Sequence, residues 1–477
     1  MNPDLSRRTA LALLLAFTLF YAFFRLGAEP YYVGDESRGG INALEMLANG
    51  DWVNLHYMGE PDQVRGKPPL LIWCISGSMA LFGPTSFALR FPSAVAITLA
   101  FYVLFQLITL YRSPRFALLT GLVLLSVSGM AGWHVGRTGD FDALLLLFLL
   151  SGMLFLLRYL HFGYRRDVVF TGIFWGFAFL TKGLAMGAYV PGLLLFLLLT
   201  RRWQTVVRDR WAWAGAAAFL VFPVFWYTVV QLYGATWEDP MYTGRNVFER
   251  LIVHDIYERF TQPGFEGRTK TSGYHYFLYS LDIMFNLWNW TFFAALLFGL
   301  YRTSRIGVTA ALGWLRARPL LLLSLCLWFP YAMILSVTTH ALQQYIVPVL
   351  PFVGVATVWG FQYLSERYRA GRYVFLGLLA FTLVRRVYQL DNPRDAPAIA
   401  RHLPALEKAD RIFVELDALA NDELYYVYLA NQPALLFDTT ALNEPVDYLI
   451  IRCDSPLRER FSDRKEVWFA QEGVILD

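Results

Sequence analysis

Eleven long apolar runs dominate the chain and restrict its fold more than any other feature. A helix needs about 20 apolar residues to cross a bilayer, and most of the runs reach roughly that length. Because 56% of the 477 residues are hydrophobic and only 16% are charged, we exclude a soluble enzyme, a disordered chain and a coiled coil. We predict an α-helical polytopic membrane protein with spans at 9–26, 88–111, 115–133, 141–160, 168–180, 184–200, 212–233, 276–301, 319–338, 343–364 and 373–388.

Arginines concentrate in alternate connections between these runs. If Arg7 and Arg8 are cytoplasmic, the arginine groups that follow at 112–115, 165–166, 201–210, 302–318 and 367–372 fall on the same side. This is the positive-inside pattern, and it places residues 27–87, 234–275 and everything after 390 outside the cytoplasm. The total of 41 basic and 37 acidic residues is too balanced to indicate a nucleic-acid partner.

The composition changes after residue 390 to that of a soluble domain. Residues 411–416, 446–451 and 466–470 have strand patterns, and residues 395–407 and 422–430 have helix patterns. We therefore predict two domains, a membrane domain at 1–390 and a small extracytoplasmic α/β domain at 391–477. The second domain has no glycine-rich phosphate loop, so we expect no nucleotide site there.

The first outer segment carries the most informative polar residues. It contains Asp35-Glu36-Ser37-Arg38, then Gly50-Asp51-Trp52, and then Lys67-Pro68-Pro69-Leu70. Lys67 is one of only five lysines in the chain. If the apolar stretch at 70–82 crossed the membrane, the arginine pattern would fail in every later loop. We therefore predict that this stretch is an interfacial helix at the outer surface.

These motifs, in this order, resemble a known family. They are followed by Phe82-Gly83, Arg90-Phe91-Pro92-Ser93-Ala94, Arg137-x4-Asp142, Thr181-Lys182-Gly183, His254-x4-Arg259-Phe260 and Gln344-Tyr345-x2-Pro348-x2-Pro351. The series is similar to the membrane glycosyltransferases of the protein O-mannosyltransferase superfamily, and most of all to bacterial aminoarabinose lipid A transferases. The resemblance covers roughly residues 9–365. It implies the GT-C fold with about 11 transmembrane helices and outer juxtamembrane helices, a polyprenyl-phosphate sugar donor and chemistry at the outer membrane face.

The resemblance also implies roles for residues in the first outer segment. The position of Asp35 is the proposed catalytic residue of the family, and the positions of Arg38 and Lys67 hold the lipid phosphate. Sugar transfer from a lipid phosphate needs a carboxylate for the acceptor and cations for the departing phosphate, and this segment supplies both. If the segment is helical, Asp35 and Arg38 share one face. The alternative is a surface loop with scattered charges.

Four further residues are candidates for the same site. We take Asp142 as a second catalytic acidic group, against a charge that merely suits a helix N-terminus. His254 and Arg259 match a family segment near the donor phosphate, with Arg259 as a phosphate ligand, against an interfacial surface helix. Tyr345 is a candidate donor-phosphate contact, against a polar group that only ends a helix.

The rim of the site and its metal content complete the predictions. Glu36, Arg137, Asp282 and His340 are candidate rim residues, together with His254. In the aminoarabinose transferases a glutamate that helps to bind a metal precedes the lysine, whereas this chain has Gly66 there. No cofactor is therefore predicted with certainty, and a divalent metal stays an open question.

The residues and the resemblance together predict an integral-membrane glycosyltransferase of the bacterial plasma membrane. The donor is expected to be an undecaprenyl-phosphate monosaccharide, the acceptor a glycolipid such as lipid A, a glycan or a protein, and the stereochemistry inverting. The alternative is a flippase or transporter for a lipid-linked sugar. Against it, ionisable groups cluster at the outer rim rather than at the bilayer midplane, and the sequence shows no paired repeat.

Overall fold

Helices make up most of the chain. In a computed structural model, the described residues are 5–31, 34–62, 67–132, 134–234, 281, 284–285, 287–337, 342–391, 398–415, 417–469 and 473–476. Sixteen α-helices lie between residues 5 and 391 within this part of the chain. They are α1 (Arg7–Phe23), α2 (Asp35–Asn49), α3 (Leu70–Phe82), α4 (Ser86–Thr109), α5 (Pro114–Leu125), α6 (Ser128–Ala131), α7 (Phe141–Phe162), α8 (Asp167–Lys182), α9 (Val190–Leu199), α10 (Trp203–Arg208), α11 (Arg210–Tyr233), α12 (Trp288–Ile306), α13 (Val308–Arg316), α14 (Pro319–Val337), α15 (Leu350–Arg367) and α16 (Arg369–Asp391).

Seven helical segments among the described residues are long and apolar enough to cross a membrane, by length and composition. They are Ser86–Thr109, Phe141–Phe162, Asp167–Leu199, Arg210–Tyr233, Pro319–Ser336, Gln343–Arg367 and Ala370–Asp391. Asp167–Leu199 counts once, because a 3-10 segment, Gly183–Tyr189, joins α8 to α9. The chain is therefore a multi-pass membrane protein. Each of the eleven predicted runs contains a helix, but several of these helices are shorter than a full span.

Local chemistry sets the ends of the membrane helices. Thr85 caps α4 by accepting a hydrogen bond from the Ala88 N–H, and Ser113 caps α5 from the Phe116 N–H. Gly163 ends α7 with φ 76°, a left-handed conformation that favours glycine. The four residues 163–166 then connect α7 to α8, and the two helices pack against each other along their length. The start of α7 and the end of α8 consequently lie at the same end of this hairpin.

Helices α2 and α3 are too short to cross a bilayer. α2 has 15 residues and α3 has 13, whereas a span needs about 20. α3 occupies the stretch that the sequence predicts as an interfacial helix, and it packs against α2 and α4. A two-stranded hairpin, β1 (His56–Tyr57) and β2 (Glu60–Pro61), follows α2 and packs on it.

The C-terminal residues form a mixed five-stranded sheet. Its strands are β3 (Ile412–Val414), β4 (Leu435–Leu436), β5 (Tyr448–Arg452), β6 (Glu466–Phe469) and β7 (Gly473–Leu476), in the order β4-β3-β5-β7-β6. β3 pairs in parallel with β4 and β5, while β7 pairs antiparallel with β5 and β6. The predicted small α/β fold and its three predicted strands are confirmed. β4 and β7 were not predicted.

Three short helices accompany this sheet: α17 (Leu403–Leu406), α18 (Asn421–Asn431) and α19 (Leu457–Arg460). The predicted helix at 422–430 is confirmed by α18. The predicted helix at 395–407 is wrong in the residues that the structure describes, which form only a 3-10 turn at Ala398–Arg401 and the four-residue α17. Pro404 is the reason, because proline has no N–H for a helix interior and favours a new first turn.

The C-terminal module packs directly on α2. The ring of Tyr425 on α18 lies so close to α2 that a side chain on Gly40 would place its first carbon 2.4 Å from that ring. Tyr428, one turn further along α18, donates a hydrogen bond to the Glu45 carboxylate on α2. Tyr31 packs edge-on against Tyr425 at 4.5 Å between ring centroids. The sheet domain therefore supports the helix that begins at Asp35.

Candidate active site

Asp35 and Lys67 are in contact. Asp35 is the first residue of α2, and Gly34 before it has φ 97°, which turns the chain sharply into the helix. Lys67 Nζ lies 3.3 Å from Oδ2 and 3.5 Å from Oδ1 of Asp35. Their side chains are 34% and 27% exposed, so a ligand can reach both. The structure thus brings together the carboxylate and the lysine that the sequence singles out.

Arg38 already has a carboxylate partner. Its Nε lies 2.9 Å from Asp62 Oδ2 and its Nη2 lies 2.7 Å from Asp62 Oδ1, which is a two-bond pairing. Asn42 on the next turn of α2 donates to the same carboxylate at 2.9 Å. The guanidinium also lies over the Tyr57 ring, 3.9 Å from its centroid. Arg38 therefore anchors the β1–β2 hairpin to α2, and Asp62 is a partner that sequence reasoning missed.

Asp142 and Lys182 form a buried ion pair. Lys182 Nζ donates to both carboxylate oxygens of Asp142, at 2.7 and 2.8 Å. The Lys182 side chain is 10% exposed and the Asp142 side chain is 5% exposed, so neither lies at an exposed rim. Lys182 also lies 5.6 Å from the centroid of the Tyr345 ring, and Lys67 lies 4.6 Å from that of Phe141. Lys182 thus contacts both Asp142 and Tyr345, two of the residues that the sequence predicts for the site.

His134 and Asp140 form a further polar group beside Asp35. His134 Nδ1 is 3.0 Å from Asp140 Oδ2, and Asp35, His134 and Asp140 each offer an atom within 4.8 Å of the other two. Burial lowers the pKa of the His134 imidazole, but the carboxylates of Asp140, Asp142 and Asp35 outweigh it and raise the pKa above its ordinary value of 6.5. Within the described residues, these are the side chains whose arrangement could hold a metal ion.

Glu36 lies in the protein interior and not at a rim. Its carboxylate is fully buried and accepts from Arg90 Nε at 2.7 Å, Arg90 Nη2 at 2.9 Å and the Gly139 N–H at 2.9 Å. The other N–H groups of Arg90 donate to the carbonyls of Leu26, Glu29 and Pro30. All five guanidinium donors are therefore used. Glu36 joins the start of α2 to the loop before α7, which corrects its predicted placement.

Arg137 is also buried, and it bonds to backbone carbonyls. It is 5% exposed, and its Nη1 donates to the carbonyls of Tyr21 and Phe24 at 2.8 and 2.9 Å. Tyr21 is in the last turn of α1 and Phe24 is the residue that follows the helix, so Arg137 satisfies acceptors that the helix end leaves unpaired. Its predicted place at the rim is therefore corrected as well. The remaining predicted site residues lie outside the described residues; they are His254, Arg259, Asp282 and His340.

Sequence reasoning undervalued three of the residues at this site. Lys182 looks from sequence like a lysine that extends to the surface from a helix end, yet it pairs with Asp142. The scarcity of lysine is the signal that favours a role. Asp140 lies two residues before Asp142, and the sequence analysis selects Asp142 alone of these two acidic residues. Nothing in the sequence singles out His134.

Known proteins resemble both the sequence and the fold. The family model described as dolichyl-phosphate-mannose-protein mannosyltransferase matches residues 66–227. The undecaprenyl phosphate-alpha-4-amino-4-deoxy-L-arabinose arabinosyl transferase of Aeromonas salmonicida (strain A449) is 33% identical over 230 residues, covering 47% of this chain and 41% of that protein. The protein of the same name from Pseudomonas aeruginosa (strain PAO1) is 32% identical over 45% of this chain and 39% of its own length. The matches thus span about two fifths of these relatives.

Two solved structures share the overall fold. ArnT from Cupriavidus metallidurans, crystallised with undecaprenyl phosphate, superposes with a TM-score of 0.72 at 18% identity, covering 98% of this chain and 97% of that one. The Archaeoglobus fulgidus oligosaccharyltransferase has a TM-score of 0.58 at 12% identity, covering 94% and 70%. The helical membrane domain with its outer helices defines the GT-C class of fold. The chain therefore has this fold, and part of its sequence resembles membrane glycosyltransferases.

Proposed function

We propose that this chain is an integral-membrane glycosyltransferase that moves a monosaccharide from undecaprenyl phosphate to a glycolipid, glycan or protein acceptor. The contact between Asp35 and Lys67 carries the proposal. It joins a carboxylate and a cation that a substrate can reach, whereas the charges of Glu36 and Asp142 are buried in pairs of their own. The names of the relatives support a donor with undecaprenyl phosphate.

The reaction is a single displacement with inversion at the anomeric carbon. Asp35 accepts the proton of the acceptor hydroxyl while the acceptor oxygen bonds to that carbon from the side opposite the phosphate. The bond between the carbon and the phosphate oxygen breaks, and its electron pair leaves with the prenyl phosphate. Lys67 stabilises the negative charge that this phosphate gains. If the acceptor is a phosphate group, Asp35 orients it and no proton needs to move.

Arg38, Tyr345 and Asp142 support these two residues. Arg38 contacts the donor phosphate through the N–H groups that Asp62 does not use, since the pair occupies only two of its five donors. Asp142 acts through Lys182, which it holds beside the Tyr345 ring. We therefore assign Asp142 a positioning role rather than direct contact with the sugar. Arg259, His254, Asp282 and His340 stay predictions from sequence.

We place the site on the periplasmic side of the bacterial inner membrane, together with the C-terminal module. Asp142 and Lys182 lie at the end of the α7–α8 hairpin that is opposite Arg165 and Arg166. Because arginine-rich connections favour the cytoplasm, this end faces the periplasm. A lipid-linked donor and an envelope acceptor are both reachable from that side.

The test uses the purified protein in detergent with a defined undecaprenyl-phosphate sugar and lipid A as acceptor. Mass spectrometry measures the undecaprenyl phosphate released and the sugar gained by the acceptor. We expect Asp35→Asn to lower turnover by ~100-fold or more, as for the loss of a positioned base. Asp454→Asn is the control, because that side chain is 78% exposed on the C-terminal module. Wild-type turnover in Asp35→Asn refutes the role of Asp35, and lipid movement across vesicles without sugar transfer identifies a flippase instead.

A further inference from the structure

Four arginines meet at one end of the membrane domain, and we call them the arginine cluster. They are Arg112 between α4 and α5, Arg202 between α9 and α10, Arg316 at the end of α13 and Arg318 just before α14. Arg316 Nε donates to the carbonyl of Leu199 at 2.7 Å, three residues before Arg202. α9 also packs against α14, so the connections that carry Arg202, Arg316 and Arg318 lie side by side.

Arg112 joins the arginine cluster beside Arg318. Burial lowers the pKa of the Arg112 guanidinium, Glu366 raises it in part, and the positive charge of Arg318 lowers it again. The Arg112 Cζ lies 4.0 Å from the centroid of the Trp359 ring, and its Nη2 donates to Gln362 Oε1. Its Nε is buried and makes no hydrogen bond within the described residues. Because like charges repel, the closeness of two guanidinium groups favours an anion near them.

The arginine cluster lies at the end of the membrane helices that is opposite the candidate active site. Tyr111, next to Arg112, hydrogen bonds with His161 in the last turn of α7, whereas Asp142 is in the first turn of that helix. The arginine-rich connections at this end are the ones that the positive-inside pattern places in the cytoplasm. Phospholipid headgroups of the cytoplasmic leaflet are therefore within reach of the cluster.

Few carboxylates balance the positive charge at this end. Residues 201–213 and 302–318 contain eight arginines but one acidic residue, Asp209, whose carboxylate already caps α11 by accepting from the Trp211 N–H. In the part of the chain that the structure describes, no member of the arginine cluster forms an ion pair. Arg158 shows the contrast, because it pairs with Asp167 at 2.8 Å beside the α7–α8 connection. The cluster therefore keeps its charge available for an external anion.

Exposed tryptophans and an apolar side chain flank the arginine cluster. Trp203 follows Arg202 and is 44% exposed, and Trp314 is 40% exposed. The Arg318 Cζ lies 4.0 Å from the centroid of the Trp314 ring, and its Nη1 donates to the Trp314 carbonyl at 3.0 Å. Val308, at the start of α13, is 73% exposed. Because tryptophan rings favour the headgroup level of a bilayer, these residues indicate a lipid rather than a soluble phosphate compound.

We propose that the arginine cluster binds the phosphate headgroup of an anionic phospholipid in the cytoplasmic leaflet. The parallel N–H groups of an arginine match two oxygens of a phosphate. Arg316 and Arg318 each donate to a backbone carbonyl, which orders the side chain and leaves other N–H groups for the lipid. The bound phosphate offsets the repulsion between Arg112 and Arg318. This lipid site goes beyond the proposed function and does not rest on it.

Native mass spectrometry of the purified full-length protein in detergent, titrated with phosphatidylglycerol or phosphatidylcholine, tests the site. We expect the wild-type protein to bind phosphatidylglycerol more tightly. Arg316→Gln with Arg318→Gln should weaken that binding by ~10-fold or more, because each basic residue near an anionic headgroup contributes about a fivefold factor. The matched control is Arg8→Gln with Arg165→Gln, which removes two exposed arginines at the same end but outside the cluster. Equal binding of the two lipids, no loss in the cluster variant, or an equal loss in the control variant would overturn the proposal.

Two further measurements address folding and the source of the phosphate. The Arg202 side chain makes no hydrogen bond within the described residues, so Arg202→Gln should keep the wild-type thermal midpoint yet weaken phosphatidylglycerol binding about fivefold. An unchanged affinity would contradict its place in the cluster. Inorganic phosphate alone should bind more weakly than the lipid, because it makes no contact with the tryptophans. Equal affinity for inorganic phosphate would identify a site for a soluble anion and refute the lipid assignment. No sugar donor is used, so a failure of sugar transfer leaves these results unchanged.

Discussion

The buried pair of Glu36 and Arg90 allows a prediction with a defined magnitude. Removing one partner of a buried ion pair typically costs ~3–5 kcal/mol, because the other charge stays buried without compensation. Arg90→Met should lie at or above the top of this range, since it also deprives the carbonyls of Leu26, Glu29 and Pro30 of their donors. Glu36→Gln should lie near the bottom, because the amide oxygen still accepts from Arg90.

The double variant separates the pair from its surroundings. The variant with both Glu36→Gln and Arg90→Met should lose less free energy of unfolding than the two single variants lose in sum. The difference should be ~0.5–3 kcal/mol, the usual range of coupling between contacting residues. Turnover should also fall, because Glu36 adjoins Asp35 and accepts from the N–H of Gly139, next to Asp140. A displacement of about 1 Å at a reacting group can lower a rate by ~100-fold.

Unfolding in mixed micelles, followed by tryptophan fluorescence, gives the free energies. The control is Arg25→Met, which breaks an ion pair with Asp391 of nearly the same length, 2.8 Å against 2.7 Å, but with side chains 42% and 65% exposed. We expect Arg25→Met to lower the free energy of unfolding by at most ~1 kcal/mol. The reasoning from burial is refuted if Glu36→Gln costs no more than Arg25→Met, or if the two changes at the buried pair are additive.

Two further predictions concern pH and the lysines. Burial raises the pKa of the Glu45 carboxyl above its ordinary 4.5, so its contribution to stability is present below that value and is lost as pH rises through the raised pKa. The thermal midpoint of the wild-type protein should therefore fall relative to that of Glu45→Gln between pH 4.5 and neutrality, and parallel profiles would contradict this. Lys182→Met should lower the free energy of unfolding by ~3–5 kcal/mol, because it leaves Asp142 buried and unpaired. Lys67→Met should lower it by under ~1 kcal/mol, because the pair of Lys67 with Asp35 is partly exposed. Lys67→Met should instead raise the donor KM, and unfolding and steady-state assays of the two variants would show whether the roles are reversed.

Much of the membrane domain follows from sequence because apolar length is a local property. Helices α4, α7 and α11 lie within a few residues of their predicted spans. The C-terminal sheet was harder, since β4 has only two residues and forms through its pairing with β3. Such a strand has no periodicity of its own. Its position depends on contacts between residues that are far apart in the chain.

The candidate site also combines residues that local sequence predicts with contacts that only the tertiary structure reveals. Asp35 and Lys67 could be predicted because they stand in recognisable motifs of one outer segment. The ion pair of Asp142 with Lys182 joins residues 40 apart that meet only because α7 and α8 form a hairpin. Asp62 reaches Arg38 only after the β1–β2 hairpin has formed. The sequence therefore indicates which charges are present, whereas tertiary structure decides which of them neutralise each other.

The docking of α18 on α2 has a consequence for the order in which the protein matures. A ribosome makes residues 421–431 after the sixteen described α-helices between residues 5 and 391. Until then, Glu45 has no bond from Tyr428, and the ring of Tyr425 does not cover Gly40. The helix that begins at Asp35 thus receives its last support at the end of translation. A nascent chain can insert its membrane helices well before it can hold a sugar donor in working geometry.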